Sequence, residues 1–273
     1  MNCFDELAAE VRKAGQYAKQ QQKRIQRMIK PDGSILTESD LAVTDTILGA
    51  IKRIFISNYN IVTEEIDIKG FNPEARYTFV LDPIDGTDSY SQGFPAWCIA
   101  LGILDSARRP VGAMICAPRF GIGEEELFVR TDPGSDEITI GSKHFQPFDG
   151  KDDIRELMIG SNTFREADIS SYQGKIRSYG SSIIHMLAPA IYSNIGGGVN
   201  PTCYIWDIAA SHAVLLKAGM DICYADGSPF TYTDRIMLER QKYDMPLLVG
   251  TVKGREFLRN TIKIRQARSG SSS

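Results

Sequence analysis

The chain has 273 residues, which is enough for one large hydrophobic core or for two smaller cores that share an interface. Its hydrophobic share of 42% and charged share of 24% are typical of a globular protein, and a net charge of −3 argues against a nucleic-acid binder that depends on basic residues. No segment approaches the roughly 18 consecutive apolar residues of a membrane span. We therefore expect neither a nucleic acid nor a membrane as a partner.

The five cysteines are scattered without a Cys-x-x-Cys pair, and their number is odd. This favours reduced thiols over a disulfide framework. The N-terminal residues are amphipathic with early acids, and they lack the apolar core of a signal peptide. Together these features predict a cytoplasmic protein.

The N-terminal half predicts two helices followed by an antiparallel sheet. Apolar residues recur at helical spacing over 3–29, and Pro31 and Gly33 end this first predicted helix. Thr37 and Asp40 have the spacing of a capping box at the start of a second helix. Six short apolar runs then predict strands, in the order NIVTEE, RYTFVLD, AWCIALGILD, PVGAMICAP, EELFVR and DEITIG.

The C-terminal half follows a polar stretch over 142–155, in which we place the domain boundary. Strands are predicted at ELMIGS, MDICYAD and MPLLVGT, and helices at SSIIHMLAPAIYS, WDIAASHAVLLKAG and KGREFLRNTIKIRQ. The first of these helices is expected to kink or end near Pro189. The predicted domains are 1–145 and 146–266, with a disordered tail over 267–273.

The sequence LDPIDGTD concentrates carboxylates at the end of a predicted buried strand. Asp82 reaches the rim of the sheet, Pro83 fixes the backbone for a turn, and Gly86 permits the tight conformation that follows. Asp85 then lies beside Asp82, and two carboxylates with a main-chain carbonyl form an oxygen-only site of the kind that Mg²⁺ or Ca²⁺ prefers. A helix that begins near Thr87 would expose N–H groups suited to a phosphate. An ordinary Asp-Pro turn is the alternative.

Two other acidic segments have similar settings. VTEE places Glu64 and Glu65 at the end of another predicted strand, and WDIAA places Asp207 at the start of a predicted helix. Each position alone has an ordinary explanation, such as an acid that stabilises a helix dipole. In combination, the segments favour a metal site.

The order and separation of TEE, DPIDGT, IRSYGS and WD resemble the inositol monophosphatase superfamily of lithium-sensitive, magnesium-dependent phosphatases, which includes the fructose bisphosphatases. DPIDGT with GFP downstream matches the first signature of that family, and WDIAASHAVLLKAG matches the second. The resemblance extends from SILTESD to the last predicted helix. It implies an α+β fold, a layered α-β-α-β-α sandwich with the active site where the two halves meet.

The resemblance also implies roles for single residues. Asp40 and Thr87 would orient and help to deprotonate the attacking water beside Glu64, and Glu65 would support the metal ligands from outside. Lys30 matches a lysine on the mobile lid of the family. The implied metal ligands, for two or three Mg²⁺ ions with Mn²⁺ as a substitute, are Glu64, Asp82, the Ile84 carbonyl, Asp85 and Asp207.

The substrate-facing positions follow from the same resemblance. Gly86 and Thr87 would offer N–H groups to the phosphate, and Gly180 and Ser181 would face the rest of the substrate. Asn200 stands near a position at which inositol-specific members carry an acid. Because an asparagine can also bond a hydroxyl group, this departure weakens an inositol phosphate as the substrate without removing it.

Two further features have open interpretations. His212 follows Asp207 by five residues and either faces the substrate or, as is commoner, packs as an ordinary histidine. The Gly196–Gly198 run is either a phosphate-cradling loop or a flexible turn.

Three functions remain open. The first is an Mg²⁺-dependent phosphomonoesterase that hydrolyses a small polyol or sugar phosphate with a metal-activated water. The second is the same chemistry on 3′-phosphoadenosine 5′-phosphate or histidinol phosphate. The third is a regulatory or binding protein of low turnover on the same fold, which the intact ligand positions disfavour. The resemblance further implies a homodimer and a small-molecule phosphate ester as the partner.

Overall fold

Two β-sheets and the helices around them form the framework of the protein in a computed structural model, which describes residues 2–31, 33–67, 70–120 and 126–265. The helices are α1 (Cys3–Gln21), α2 (Glu38–Phe55), α3 (Thr87–Ser91), α4 (Thr163–Glu166), α5 (Ser182–Ile191), α6 (Ala209–Lys217), α7 (Asp234–Met237) and α8 (Val252–Thr261). The strands are β1 (Arg27–Ile29), β2 (Ile35–Thr37), β3 (Tyr59–Thr63), β4 (Tyr77–Asp85), β5 (Cys98–Asp105), β6 (Pro110–Ala117), β7 (Leu127–Thr131), β8 (Ile138–Ile140), β9 (Lys143–Phe145), β10 (Glu156–Ile159), β11 (Ala167–Asp168), β12 (Lys175–Arg177), β13 (Ile195–Asn200), β14 (Asp221–Tyr224), β15 (Leu247–Gly250) and β16 (Lys263–Ile264).

The first sheet has seven strands in the order β3-β4-β5-β6-β7-β8-β9. Its neighbouring strands are antiparallel except for β3 and β4, which run parallel. The six strands predicted for the N-terminal half all lie in this sheet. The last strand, β9, falls within the polar stretch over 142–155, so the sheet extends into the segment that the sequence assigned to the domain boundary.

Apolar side chains of the first sheet alternate between its two faces, as the period-two geometry of a strand requires. In β4, Phe79 and Leu81 pack with α1 and α2, whereas Val80 packs with α5 and α6. The contact with α6 is close, because a Cβ on Gly102 of β5 would lie 2.8 Å from atoms of Ala209. The first sheet is therefore enclosed between two helical layers.

The second sheet has the order β12-β10-β13-β15-β14 and mixes parallel with antiparallel pairs. One of its faces packs with α5 and α6, and Leu248 on the other face packs with Leu258 of α8. The five layers alternate helix and sheet, which confirms the predicted α+β sandwich. The core around α5 and α6 receives side chains from both sheets, so the two halves share one hydrophobic interior.

The first helix is shorter than the sequence predicted. It ends at Gln21, a single 3₁₀ turn follows over Gln22–Arg24, and the next residues form β1, which pairs with β2 as a hairpin. Of the apolar residues that extended the helical pattern, Ile25 still packs against the core beside α1, whereas Met28 is 41% exposed. The Gln22 side chain instead donates hydrogen bonds to main-chain carbonyls near α3.

The Gly196–Gly198 run forms neither a phosphate loop nor a flexible turn, because it lies inside the buried strand β13. A Cβ on Gly196 would lie 2.9 Å from the Cα of Ile154, and one on Gly197 would lie 2.8 Å from the Val249 carbonyl. These glycines therefore allow neighbouring backbones to approach closely.

The remaining helices end before the predicted segments do. Pro189 lies inside α5, which ends two residues later at Ile191, so the predicted end near the proline is confirmed. The last helix ends at Thr261, and β16 then pairs with β11. Among the described residues, no helix has the length and hydropathy that crossing a membrane requires. The predicted disordered tail over 267–273 lies outside the described residues.

Candidate active site

Strand β4 carries two acids to the edge of the first sheet through a β-bulge. Asp82 pairs with Ala100 and Asp85 pairs with Cys98 on β5, and the register shifts between these pairs. Pro83 lies in this bulged strand and not in the turn that the sequence predicted, because β4 extends to Asp85. A bulge bends the strand and redirects its side chains, which accounts for two acids at one edge.

Gly86 ends the bulged strand in the left-handed conformation that the sequence predicted for it, with φ of 87°. A Cβ at this position would also lie 2.6 Å from the carbonyl oxygen of Gly180, so the backbones of the two halves touch here. The predicted short helix, α3, begins at Thr87. The site is thus assembled where a strand end of the first sheet meets the segment before α5.

Three carboxylates converge at this junction. One oxygen each of Asp82, Asp85 and Asp207 lies within 4.8 Å of the others. Asp82 and Asp85 are buried, and Asp82 Oδ1 has no hydrogen-bond partner among the described residues. Buried carboxylates are costly unless a cation or donors compensate them, so this group fits a metal ion.

Main-chain donors orient two of these acids. Asp85 accepts hydrogen bonds from the Ser181 hydroxyl and from the N–H groups of Ser182 and Ile183, the latter at 2.9 Å. Asp207 ends a 3₁₀ turn just before α6, and its Oδ2 accepts from the Tyr204 N–H at 2.8 Å. The start of α5 and the approach to α6 therefore hold acids from opposite halves of the chain.

Glu64 lies beside this group but is bound to a lysine. The Nζ of Lys30 is 2.9 Å from Glu64 Oε1 and 2.8 Å from Glu65 Oε1. Lys30 lies at the turn between β1 and β2, where its N–H donates to the Ser34 carbonyl. Burial alone would lower the pKa of Lys30, but the two glutamates raise it above its ordinary value. The hairpin is therefore attached to the acidic site.

Asp40 and Thr87, the implied water-activating pair, also lie together. Asp40 is buried at the start of α2, where its Oδ2 accepts from the N–H and the hydroxyl of Thr37 at 2.8 Å and 2.6 Å. This is the capping box that the sequence predicted. The Thr87 hydroxyl donates to the Ile84 carbonyl at 2.8 Å and lies 3.4 Å from Asp40 Oδ1.

Burial raises the pKa of the acids in this group. It raises the pKa of Asp40 and Asp207 to about 6, that of Asp85 to about 7 and that of Glu64 to about 8. The pKa of Asp82 is raised well above its ordinary value, first by burial and then by the neighbouring carboxylates. A divalent cation would offset both causes and keep the group ionised.

A cleft of about 450 Å³ opens onto these side chains. Glu64, Thr87 and Asp207 line one part of it, and Gly180 and Ser181 line another, as implied for the catalytic and substrate-facing positions. The described lining does not include Asn200, which is 1% exposed and whose Nδ2 lies 3.8 Å from the sulfur of Cys203.

His212 packs away from the cleft. Its Nδ1 is 2.9 Å from the Tyr232 hydroxyl and its Nε2 is 2.9 Å from Asp221 Oδ1. The ordinary packed histidine is therefore the correct alternative, and a substrate-facing role is excluded in this arrangement.

Sequence reasoning missed several polar residues that line the cleft, among them Ser161, Asn162 and His185. Ser161 and Asn162 follow β10, and His185 lies on α5, where its Nε2 accepts from the Tyr179 N–H at 2.5 Å. The pair after β10 had a usable signal, since polar residues directly follow an apolar strand. His185 had none, because it stands in an otherwise apolar helical sequence.

Comparisons with known proteins identify the family of the chain. The model of the inositol monophosphatase family matches residues 3–255, and the chain belongs to that family. Its members are metal-dependent phosphatases, so the protein is a phosphoric monoester hydrolase, and the cluster of Asp82, Asp85 and Asp207 is suited to the metal.

Individual relatives are distant and differ in their substrates. A histidinol-phosphatase from Streptomyces coelicolor is 23% identical, over 73% of this chain and 77% of the relative. A probable inositol 1-monophosphatase from Mycobacterium tuberculosis is 25% identical, over 77% of this chain and 78% of the relative. The solved structure of an inositol monophosphatase from Thermotoga maritima superposes with a TM-score of 0.75, at 18% identity and 96% coverage of both chains. The last similarity concerns the fold alone.

Proposed function

We propose that the protein hydrolyses the phosphate ester of a small polyol or sugar phosphate, with Mg²⁺ held by Glu64, Asp82, Asp85, Asp207 and the Ile84 carbonyl. The observation that carries this proposal is the convergence of three carboxylates within 4.8 Å at a cleft. A cation there would satisfy the unpartnered oxygen of Asp82. The donors are all oxygen atoms, the set that Mg²⁺ prefers, with Mn²⁺ as a substitute. Two or three ions, when bound, would stabilise charge on the phosphoryl oxygens and lower the pKa of a water.

The chain itself supplies the proton acceptor. Asp40, with a pKa of about 6, is largely ionised at neutral pH and can take a proton at Oδ1 by way of the Thr87 hydroxyl 3.4 Å away. Thr37 holds the other carboxylate oxygen, so Oδ1 keeps its direction. Glu65 and Lys30 support Glu64 from outside the cleft.

The substrate is positioned by the segments on either side of the acids. Gly86 and Thr87 lie at the cleft and would offer N–H groups to the phosphate, while Gly180 and Ser181 would face the leaving group. Asn200 is buried outside the lining, so we do not include it among the substrate contacts. The cleft residues that do not bind the metal would then select among small phosphate esters.

A substrate panel tests this function. Phosphate release would be measured with and without Mg²⁺ on inositol 1-phosphate, fructose 1,6-bisphosphate, 3′-phosphoadenosine 5′-phosphate and histidinol phosphate. Mg²⁺-dependent turnover of a polyol or sugar phosphate is expected. Preference for either of the last two substrates would replace the proposed substrate but keep the chemistry. Mg²⁺ binding without turnover of any ester would favour a regulatory protein on this fold.

Three properties of the whole protein belong to the same proposal. Inhibition by Li⁺ and a homodimer are implied by the family resemblance, and light scattering of the purified protein tests the dimer. A cytoplasmic location is supported by the five free cysteines, which suit a reducing compartment. Turnover that is unchanged by added Li⁺ would contradict the first property.

A further inference from the structure

Arg240 joins the two acidic segments that come from opposite halves of the chain. Its Nη2 donates a hydrogen bond of 2.6 Å to the main-chain carbonyl of Glu64. Its guanidinium lies over the ring of Trp206, 5.1 Å from the centroid, and Trp206 directly precedes Asp207. One side chain therefore touches the backbone of one proposed metal ligand and the neighbour of another.

The contact with Glu64 fixes a residue that follows the end of a strand. Glu64 comes directly after β3, and its N–H donates to the Leu81 carbonyl of β4 at 3.3 Å. Arg240 bonds the carbonyl of the same residue, so both main-chain polar groups of Glu64 are held. The backbone from which the Glu64 side chain extends is thereby held in place.

The contact with Trp206 holds the guanidinium of Arg240 against the turn that contains Asp207. Trp206 is buried and stacks on Tyr204, with ring centroids 4.7 Å apart and an interplanar angle of 13°. Tyr204 in turn donates its N–H to Asp207 Oδ2. Arg240 therefore rests on the same turn that orients the Asp207 carboxylate.

A surface ion pair does not account for the position of Arg240. Its guanidinium lies 3.9 Å from Asp67, and the Asp67 side chain is 75% exposed. Pairs of that length at an exposed acid contribute little. The shorter bond to Glu64 and the buried ring define where the guanidinium lies.

We propose that Arg240 is a positioning residue for the metal site, which holds Glu64 and the turn before Asp207 in the separation that the cation requires. This inference rests on the proposed Mg²⁺ site. Residues that orient metal ligands from outside commonly change metal affinity by about 10–100-fold when they are removed. Arg240→Met keeps an unbranched stem of similar bulk and removes both the hydrogen-bond donors and the charge.

The experiment is calorimetric titration of the metal-free protein with Mg²⁺ in the absence of substrate. For Arg240→Met, the Mg²⁺ dissociation constant is expected to rise by about tenfold or more. The matched control is Arg76→Met, because Arg76 also lies over a ring, 5.0 Å from the Tyr77 centroid, at the far end of β4. The Mg²⁺ dissociation constant of the control is expected to stay within about twofold of that of the unmodified protein. The reason is that Arg76 lies at the opposite end of β4 from the proposed metal ligands.

Circular dichroism and the thermal midpoint separate positioning from a loss of structure. A merely structural role would lower the midpoint of Arg240→Met and leave its Mg²⁺ affinity intact, which would overturn the inference. If Arg240→Met does not fold, Arg240→Lys provides the test, because the compact ammonium of lysine keeps the charge but does not reproduce the planar guanidinium that contacts the Trp206 ring and the Glu64 carbonyl together. Unchanged Mg²⁺ affinity in Arg240→Lys would likewise overturn it. Absence of Mg²⁺ binding to the unmodified protein would instead refute the proposed function.

Discussion

The ammonium of Lys30 lies 2.9 Å from Glu64 Oε1, so a side chain of the N-terminal hairpin binds an acid that we propose as a metal ligand. The same ammonium also bonds Glu65. In the metal-free protein, Lys30 therefore supplies part of the positive charge that the site requires. Binding of a cation at Glu64 has to replace this bond or share the carboxylate with it.

Replacing Lys30 by methionine should destabilise the metal-free protein and increase the stabilisation by Mg²⁺. Loss of two partly buried, charge-assisted hydrogen bonds should cost about 1–3 kcal/mol. The midpoint shift on addition of Mg²⁺, measured by scanning fluorimetry, should be larger than in the unmodified protein. Lys13→Met is the control, because Lys13 is exposed and its ion pair with Glu10 is long, at 3.7 Å. An equal Mg²⁺ shift in Lys30→Met and the control would contradict competition at Glu64.

The stability of the metal-free protein should fall as the pH rises from about 4 to about 8. Burial raises the pKa of Asp40, Asp85 and Asp207 to between about 6 and about 7, and that of Glu64 to about 8, above ordinary values of 3.8 and 4.5. At these acids the folded state therefore binds more protons than the unfolded state in this window. Raising the pH removes those protons and lowers the free energy of unfolding. We expect a fall in the thermal midpoint of about 4–8 °C, equivalent to about 2 kcal/mol.

Saturating Mg²⁺ should remove most of this decline, because the cation favours the ionised carboxylates. Thermal midpoints measured from pH 4 to pH 8, with and without Mg²⁺, check both statements. Stability of the metal-free protein that rises over this window would show that the acids are compensated in some other way.

The sequence identified the elements that carry the acids of the site, although only the combination of the acidic segments, and no single position, favoured a metal site. Asp82 and Glu64 were predicted at the ends of apolar strands and Asp40 in a capping box, and the structure places Asp82 within β4, Glu64 directly after β3 and Asp40 at the start of α2. Local sequence patterns were less informative where contacts with residues distant in the sequence determine the structure. The first helix was extended too far, because its apolar spacing continues to Met28 although that side chain is 41% exposed.

Contacts between the two halves could not be predicted from spacing. Arg240 and Glu64 are 176 positions apart, and no periodic pattern relates them. The Gly196–Gly198 run has no side chains to alternate, so a buried strand gave no period-two signal there. The family resemblance placed Asn200 near a substrate-facing position, but Asn200 ends β13 and is 1% exposed.

Gly86→Ala should disrupt the junction between the halves. The new Cβ would combine a left-handed backbone with a separation of 2.6 Å from the Gly180 carbonyl oxygen. Gly93→Ala is a matched control, since Gly93 has a φ of 84° but no described atom lies within 4 Å of the Cβ position. The control should lose about 1–2 kcal/mol from the backbone conformation alone.

The free energy of unfolding of Gly86→Ala should fall by about 2 kcal/mol more than that of the control, because forcing an extra group into a packed site usually costs about 1–3 kcal/mol. Its activity should also fall, because Thr87 and Asp85 flank the displaced residue. Denaturant unfolding and initial rates measure the two effects. Equal destabilisation of Gly86→Ala and Gly93→Ala would mean that the close approach to Gly180 does not contribute to the loss of stability.

Asp40→Asn should abolish proton acceptance while preserving the metal site. The asparagine oxygen can still accept from Thr37, so the start of α2 should stay intact. Turnover at saturating Mg²⁺ is expected to fall by about 10²–10⁴-fold, the usual contribution of a positioned general base. Asp45→Asn removes an exposed acid from the same helix and serves as the control.

The pH profile gives a second measurement of the same role. With Mg²⁺ saturating, turnover of the unmodified protein should rise with pH through an apparent pKa near 6, the value to which burial raises the pKa of Asp40. That limb should disappear in Asp40→Asn, whereas Mg²⁺ binding measured by calorimetry should be unchanged. A variant that keeps the acid limb would assign the titrating group to another residue, and one that loses Mg²⁺ binding would place Asp40 among the metal ligands.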